Sequence, residues 1–153
     1  MSVLVAGIGN VFFGDDGFGV AVAARMAGEP WPDDVHVVDV GIRTLHLAYQ
    51  LLDGYDALVL VDAVASGEPP GTLVLLDLAD EPVAGARRDP HGVDPSTVLG
   101  LLEELGGHVR QVLLVGCAPA TTEGMGLSAA VAGVLDDAVD LVRRAIGMVR
   151  AHA

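Results

Sequence analysis

Four ionisable side chains stand where an apolar run gives way to a loop, and their types suit a divalent cation: Asp16, Asp39, Asp62 and His91. Asp16 lies in GIGNVFFGDDGFG, residues 7 to 19, which follows the apolar segment Val3 to Ala6. Asp39 ends the run Val35 to Val38, and Asp62 ends the uninterrupted run Ala57 to Val61. His91 sits in Asp89-Pro90-His91-Gly92, inside a long polar segment, residues 79 to 94. Asp16, Asp62 and His91 would make a mixed oxygen and nitrogen set suited to zinc, nickel or a similar ion, with coordination positions left open for catalysis or recognition.

Each of these residues has a plainer reading. Asp15 reads as the cap of the helix that follows, and Asp16 reads equally as cap or ligand, because a carboxylate accepts bonds from the free N–H groups of a helix start. Asp39 reads as a turn residue ahead of Gly41, and His91 as a solvated loop residue. Asp62 resists such a reading: a carboxylate at the mouth of a buried strand needs a partner, and a metal could be one. His36, His46, His108 and His152 have no comparable company. Cys117 follows an apolar run and reads as a small core residue. Ser66 and Ser128 show no base beside them in the sequence.

The elements that must position these groups follow from periodicity. Apolar segments 3–6, 35–38, 57–61 and 112–115 predict strands, and each of the first three runs toward one of the acidic residues. A helix is expected from about Asp16 to Ala27, stopped by Gly28 and Pro30. Thr44 is expected to cap a helix whose Leu45, Ala48, Leu51 and Leu52 share a face. Thr72 to Leu76 returns too soon after the turn at Gly67-Glu68-Pro69-Pro70-Gly71 for a helical crossover, so it is expected to be antiparallel and at an edge. Asp94-Pro95 opens a helix carrying Val98, Leu101, Leu102 and Leu105. One last helix is expected from Ser128 to Val149, with Val131, Val134, Leu135, Ala138, Val142, Ala145, Ile146 and Val149 on its buried stripe. Buried strands alternating with helices predict a three-layer α/β/α sandwich on a mostly parallel sheet, whose ligand end is the carboxyl end of the strands.

Composition narrows the function classes. The 153 residues suit a single domain, 1–153, with an aliphatic core: 52% are hydrophobic, yet there are only one Trp, two Tyr and three Phe. A formal charge of −13 argues against a nucleic-acid partner, which requires a basic patch. The lone Cys117 gives neither a disulfide framework nor a cysteine-rich zinc site. No basic, apolar leader or membrane-length apolar run is evident, so a cytoplasmic location away from membranes is expected. A dinucleotide-binding reading would use Gly7, Gly9 and Asp39, but it requires a glycine where Phe12 stands, and Asp15 and Asp16 would oppose a pyrophosphate.

Gly7-x-Gly9-Asn10 followed by Gly14-Asp15-Asp16-Gly17-x-Gly19 resembles the opening signature of the [NiFe]-hydrogenase maturation endopeptidases. The resemblance continues through Asp39-Val40-Gly41, Leu60-Val61-Asp62-Ala63, Pro70-Gly71-Thr72, Pro90-His91-Gly92, Val115-Gly116-Cys117-Ala118-Pro119 and Gly126-Leu127-Ser128, in order along nearly the whole chain. It implies a five-stranded sheet between helices. It also implies a protease that removes a C-terminal extension from the hydrogenase large-subunit precursor after nickel insertion. The family's metal-contacting positions fall on Asp16, Asp62 and His91, the nickel being carried by the precursor; zinc or cadmium are further ions the site could take. Asp39 matches a turn near the site and is implied to orient substrate or a ligand. Where many relatives continue Asp-Gly-Gly-Thr, this chain has Asp39-Val40-Gly41-Ile42-Arg43-Thr44, so Arg43 marks a possible difference in client. The alternatives are a dinucleotide-binding Rossmann-like protein, as runner-up, and a protein that senses nickel loading without cutting.

Overall fold

Five segments rich in Val, Leu and Ile form one sheet, as expected for residues that fit a pleated, buried surface. In the computed structural model, which describes residues 1–78 and 95–151, the strands are β1 (Val3–Ile8), β2 (Val35–Gly41), β3 (Ala57–Ala63), β4 (Leu73–Asp77) and β5 (Gln111–Cys117). Their spatial order is β2-β1-β3-β5-β4. All neighbours are parallel except β4, which runs antiparallel to β5 at one edge, with Leu73 opposite Cys117. The short connection between β3 and β4 therefore acts as expected: it is too short to carry the chain back for a parallel strand.

Alternation along the strands divides the core into two layers. Val3, Val5, Val59, Val61, Leu113 and Val115 face α1 (Phe18–Met26) and α5 (Leu135–Ala151). Leu4, Ala6, Leu58, Leu60 and Leu114 face α2 (Thr44–Leu51) and α3 (Pro95–Glu104). β1 and β3 are buried throughout because helices cover both faces, which is why they read as unbroken apolar runs.

Three local expectations are corrected. Thr44 does not cap α2: the helix starts one residue earlier than the cap reading requires, so Arg43 is the N-cap, without a side-chain bond, and Thr44 is already inside the first turn. The last helix is two, α4 (Ala129–Ala132) and α5, separated at Gly133 and Val134. Ser128 caps α4 by accepting a bond from the Val131 amide at 3.4 Å. Asp15 does not cap α1 either; a 3₁₀ turn, Gly14–Gly17, precedes that helix, and its N-cap is Gly17 with no side-chain bond.

α1 lies unusually close to the sheet. A Cβ on Gly19 would stand 2.1 Å from the Val61 carbonyl oxygen and 2.3 Å from that of Ile8, and one on Gly7 would stand 2.3 Å from the Gly19 oxygen. Glycine at these positions is what lets the start of α1 rest on β1 and β3. No helix among the described residues is long and apolar enough to cross a membrane.

Candidate active site

The chain places β2 on one side of β1 and β3 on the other, so the crossover direction reverses between β1 and β3. At such a point the loops leaving the two strands diverge and open a crevice at their carboxyl ends, the usual ligand position in an open α/β sheet. Asp16 enters this place from the 3₁₀ turn after β1, and Asp62 from the penultimate residue of β3. Both are buried polar residues, Asp16 at 0% exposure and Asp62 at 7%.

Asp16 is held from its own loop: the Asn10 amide donates to Oδ2 at 2.8 Å, and the Asn10 side-chain oxygen accepts from the Phe12 amide at 3.0 Å. Gly9, with φ of 138°, brings the chain under this turn so closely that a Cβ there would lie 1.8 Å from the Asp16 carbonyl oxygen. The first amide a pyrophosphate would seek in a dinucleotide turn is thus already taken by a carboxylate.

Asp15, its neighbour, points into a different set of donors. Its Oδ1 accepts from the Ser128 amide at 2.7 Å, and its Oδ2 from the Ala120 amide at 2.8 Å, the Thr121 amide at 3.3 Å and the Ser128 hydroxyl at 2.8 Å. The cap reading of Asp15 is therefore replaced by a tie to the segment after β5, and Ser128, which shows no acid–base partner in the sequence, has this carboxylate. Burial pushes the Asp15 carboxyl up, but the Ser128 and Ala120 amides, the Ser128 hydroxyl and the Thr121 amide together leave it below the ordinary 3.8. A carboxyl held low in the folded state contributes stability above its unfolded value and loses that contribution as pH falls through the folded one. Melting temperatures followed from pH 7 to pH 3 should accordingly show the advantage of the unmutated chain over Asp15→Asn shrinking in acid. An advantage that grows toward pH 3 would contradict this assignment.

Asp39 lies exposed in β2, paired with Gly7, at a bulge where the register slips so that Gly41 pairs with Ile8. Arg43 turns back on that strand end, its Nη2 donating to the Asp39 carbonyl oxygen at 2.6 Å and its Nε to the Val40 oxygen at 3.2 Å. Cys117, at the end of β5, is buried, and burial together with the nearby Asp15 charge pushes its thiol up to about 11, with partial relief from the Gly71 amide. It is a neutral core thiol, as its sequence context suggests, and not a nucleophile. His91 lies outside the described residues. Among those described, no three His, Cys, Asp or Glu side chains converge as a metal site.

Large apolar side chains stand exposed on the loops at this same end: Val11 and Phe12 after β1, Ile42 after β2 and Met125 after β5.

A doubly wound α/β sandwich with buried carboxylates at its switch point belongs to the class of folds that take a ligand at the carboxyl end of the sheet. Residues 20–145 match the model of the HycI family of hydrogenase maturation proteases. The chain belongs to the hydrogenase maturation protease family and is a peptidase. It is 38% identical to the hydrogenase expression/formation protein HupD of Rhodobacter capsulatus, over 90% of this chain and 67% of that protein. The hydrogenase maturating endopeptidase HybD from E. coli has a similar structure, with a TM-score of 0.83, 28% identity and coverage of 97% of this chain and 93% of that one. The hydrogenase 2 maturation peptidase from a Thaumarchaeota archaeon is 35% identical with a TM-score of 0.74, over 96% and 99% of the two chains. The family match begins after Gly19, so the glycine-rich segment with Asp15 and Asp16 is not part of it.

Proposed function

We propose that this peptidase removes the C-terminal extension of a [NiFe]-hydrogenase large-subunit precursor after nickel insertion, in the cytoplasm, recognising the nickel through Asp16, Asp62 and His91. The observation that carries the reading is the pair of buried carboxylates on either side of the β1/β3 switch point. Two carboxylates at the carboxyl ends of neighbouring strands offer hard oxygen donors to a cation delivered by the substrate. His91 enters the set through the resemblance of Pro90-His91-Gly92 to the family's motif.

Two carboxylates and an imidazole suit nickel, and zinc or cadmium by the same donor chemistry. The metal is cargo of the precursor, and when bound it polarises a carbonyl or a water. The protein's own part is to hold Asp16 by the Asn10 amide and Asp62 by the ladder of β3, so that neither must reorganise as the substrate docks. Asp39, exposed at the bulge of β2, orients the incoming segment or a ligand. Val11, Phe12, Ile42 and Met125 receive the apolar surface of the precursor, and the Arg43 loop distinguishes clients.

The test is incubation with a nickel-loaded precursor from a cognate hydrogenase, with its length followed by mass spectrometry. Shortening is expected with the loaded precursor and not with the nickel-free one. Complex formation without shortening would reduce the protein to a sensor of nickel loading, and an intact, unbound precursor would overturn the proposal.

A further inference from the structure

The carboxylate of Asp15 is buried, faces away from the helix it precedes, and accepts four hydrogen bonds from a segment more than 100 residues further along the chain. The two segments are also joined through their backbones: the Gly14 amide donates to the Gly124 oxygen at 2.6 Å and the Asp15 amide to the Thr121 oxygen at 2.9 Å. Gly14, with φ of 54°, makes room for this contact, since a Cβ there would lie 2.7 Å from the Thr121 oxygen.

Residues 120–126 are for the most part exposed, so hydrophobic burial does little to hold them. The bonds to Asp15 are what fasten them. On the other side of one peptide bond, Asp16 is fixed by the Asn10 amide at 2.8 Å. Two successive carboxylates thus have separate anchors, one on the segment after β5 and one on the segment after β1. Both residues belong to the same 3₁₀ turn, whose backbone is itself bonded from the Asp15 amide to Thr121 and from the Asp16 amide to Phe13, so the direction of the second carboxylate depends on how the first is held.

We propose that Asp15 is a positioning residue: by tying the segment after β5 to the turn after β1, it fixes the direction in which the Asp16 carboxylate faces the end of β3. This rests on the reading of Asp16 as a contact to the precursor's nickel. Asp15 touches neither the metal nor the scissile bond. Asparagine in its place has the same shape but one acceptor oxygen, and its NH₂ group would confront at least one of the N–H groups that now donate to the carboxylate.

The experiment compares the unmutated protein with Asp15→Asn in two readouts: amide hydrogen exchange at Ala120, Thr121 and Ser128, and the affinity for nickel-loaded against nickel-free precursor by fluorescence titration. Asp15→Asn is expected to speed exchange at those amides and to weaken binding of the loaded precursor by about 10-fold, a single lost charge-assisted contact, while binding of the nickel-free precursor stays the same. A general loss of structure would weaken both alike. Ser128→Ala removes the hydroxyl donor, and with it the cap that the same oxygen gives α4, but keeps the three amides. It gives the same selective loss at about 3-fold even if Asp15→Asn does not fold, whereas loss of the cap alone would weaken both precursors alike.

If the unmutated protein does not distinguish loaded from nickel-free precursor, the reading of the metal contact fails. If it does distinguish them, and Asp15→Asn or, where that does not fold, Ser128→Ala retains the full distinction with its segment amides exchanging faster, the positioning role of Asp15 alone is overturned. An equal loss for both precursors overturns it as well, in favour of a purely structural bond.

Discussion

Asp62→Asn is expected to abolish processing of a nickel-loaded precursor, with kcat/KM falling by ~1,000-fold or more, equivalent to about 4 kcal/mol of transition-state stabilisation. Asparagine keeps the volume and the planar end of the side chain, so the buried strand that bears it is expected to keep its packing. What disappears is the charge at the mouth of β3. The check is a single-turnover cleavage assay beside a thermal melt of the same preparation. Activity should be lost while the melting temperature moves by only a few degrees, or about 1 kcal/mol for a domain of this size. Retained cleavage would remove Asp62 from the site and with it the pair of carboxylates on which the proposed function stands.

The second large effect is on stability. Gly19→Ala should destabilise the protein by ~3 kcal/mol or more, or prevent folding, because overpacking against atoms that cannot move is among the severest core changes. The atoms that a methyl group would meet, the Val61 and Ile8 carbonyl oxygens and the Ile8 nitrogen, are all backbone. No rotamer change can relieve them. Gly147 in α5 is the counterpart: it is exposed, and nothing stands near its would-be Cβ. Gly147→Ala should stabilise by about 0.5–1 kcal/mol through helix propensity alone. Urea unfolding of both variants separates the cases, and equal behaviour would mean that α1 does not lie as close to the sheet as described.

Gly19 also shows why part of the site was legible in the sequence and part was not. The missing glycine at Phe12 argues against a dinucleotide turn, and that turn's first amide is indeed occupied by Asp16. Yet the close packing of helix on strand that a dinucleotide turn owes to its third glycine exists here all the same, supplied by Gly19. Asp62 was readable because a buried strand stays apolar until close to where it leaves the core; Asp39, expected to end its strand, instead stands exposed within β2, which continues through the buried Val40 to Gly41. The antiparallel edge was readable from the length of one turn.

Asp15 was not readable. A carboxylate three residues before a helix has a local explanation, whereas its actual partners lie 105 to 113 positions away and include two residues, Ala120 and Thr121, that offer it only backbone amides. Such donors leave no mark in a sequence. The break between α4 and α5 escaped for a related reason: Val131, Leu135, Ala138, Val142 and Val149 are buried on the expected stripe, so the periodicity runs across Gly133 as if the helix were continuous.

The tie between Asp15 and Ser128 has a consequence for how such a protein can diversify. Asp15 grips Ala120 and Thr121 at one end of the segment and Ser128 at the other, so the residues between form a loop whose ends are already closed. Lengthening a closed loop adds little entropy cost, about 0.6 kcal/mol for each doubling. Gly124 is also tied to the Gly14 amide, so the part of this loop open to change is Met125, 73% exposed, and the residues after it up to Ser128. The bonds that keep the loop rigid at its base leave that stretch free to vary in length and side chain without moving the turn that carries Asp16.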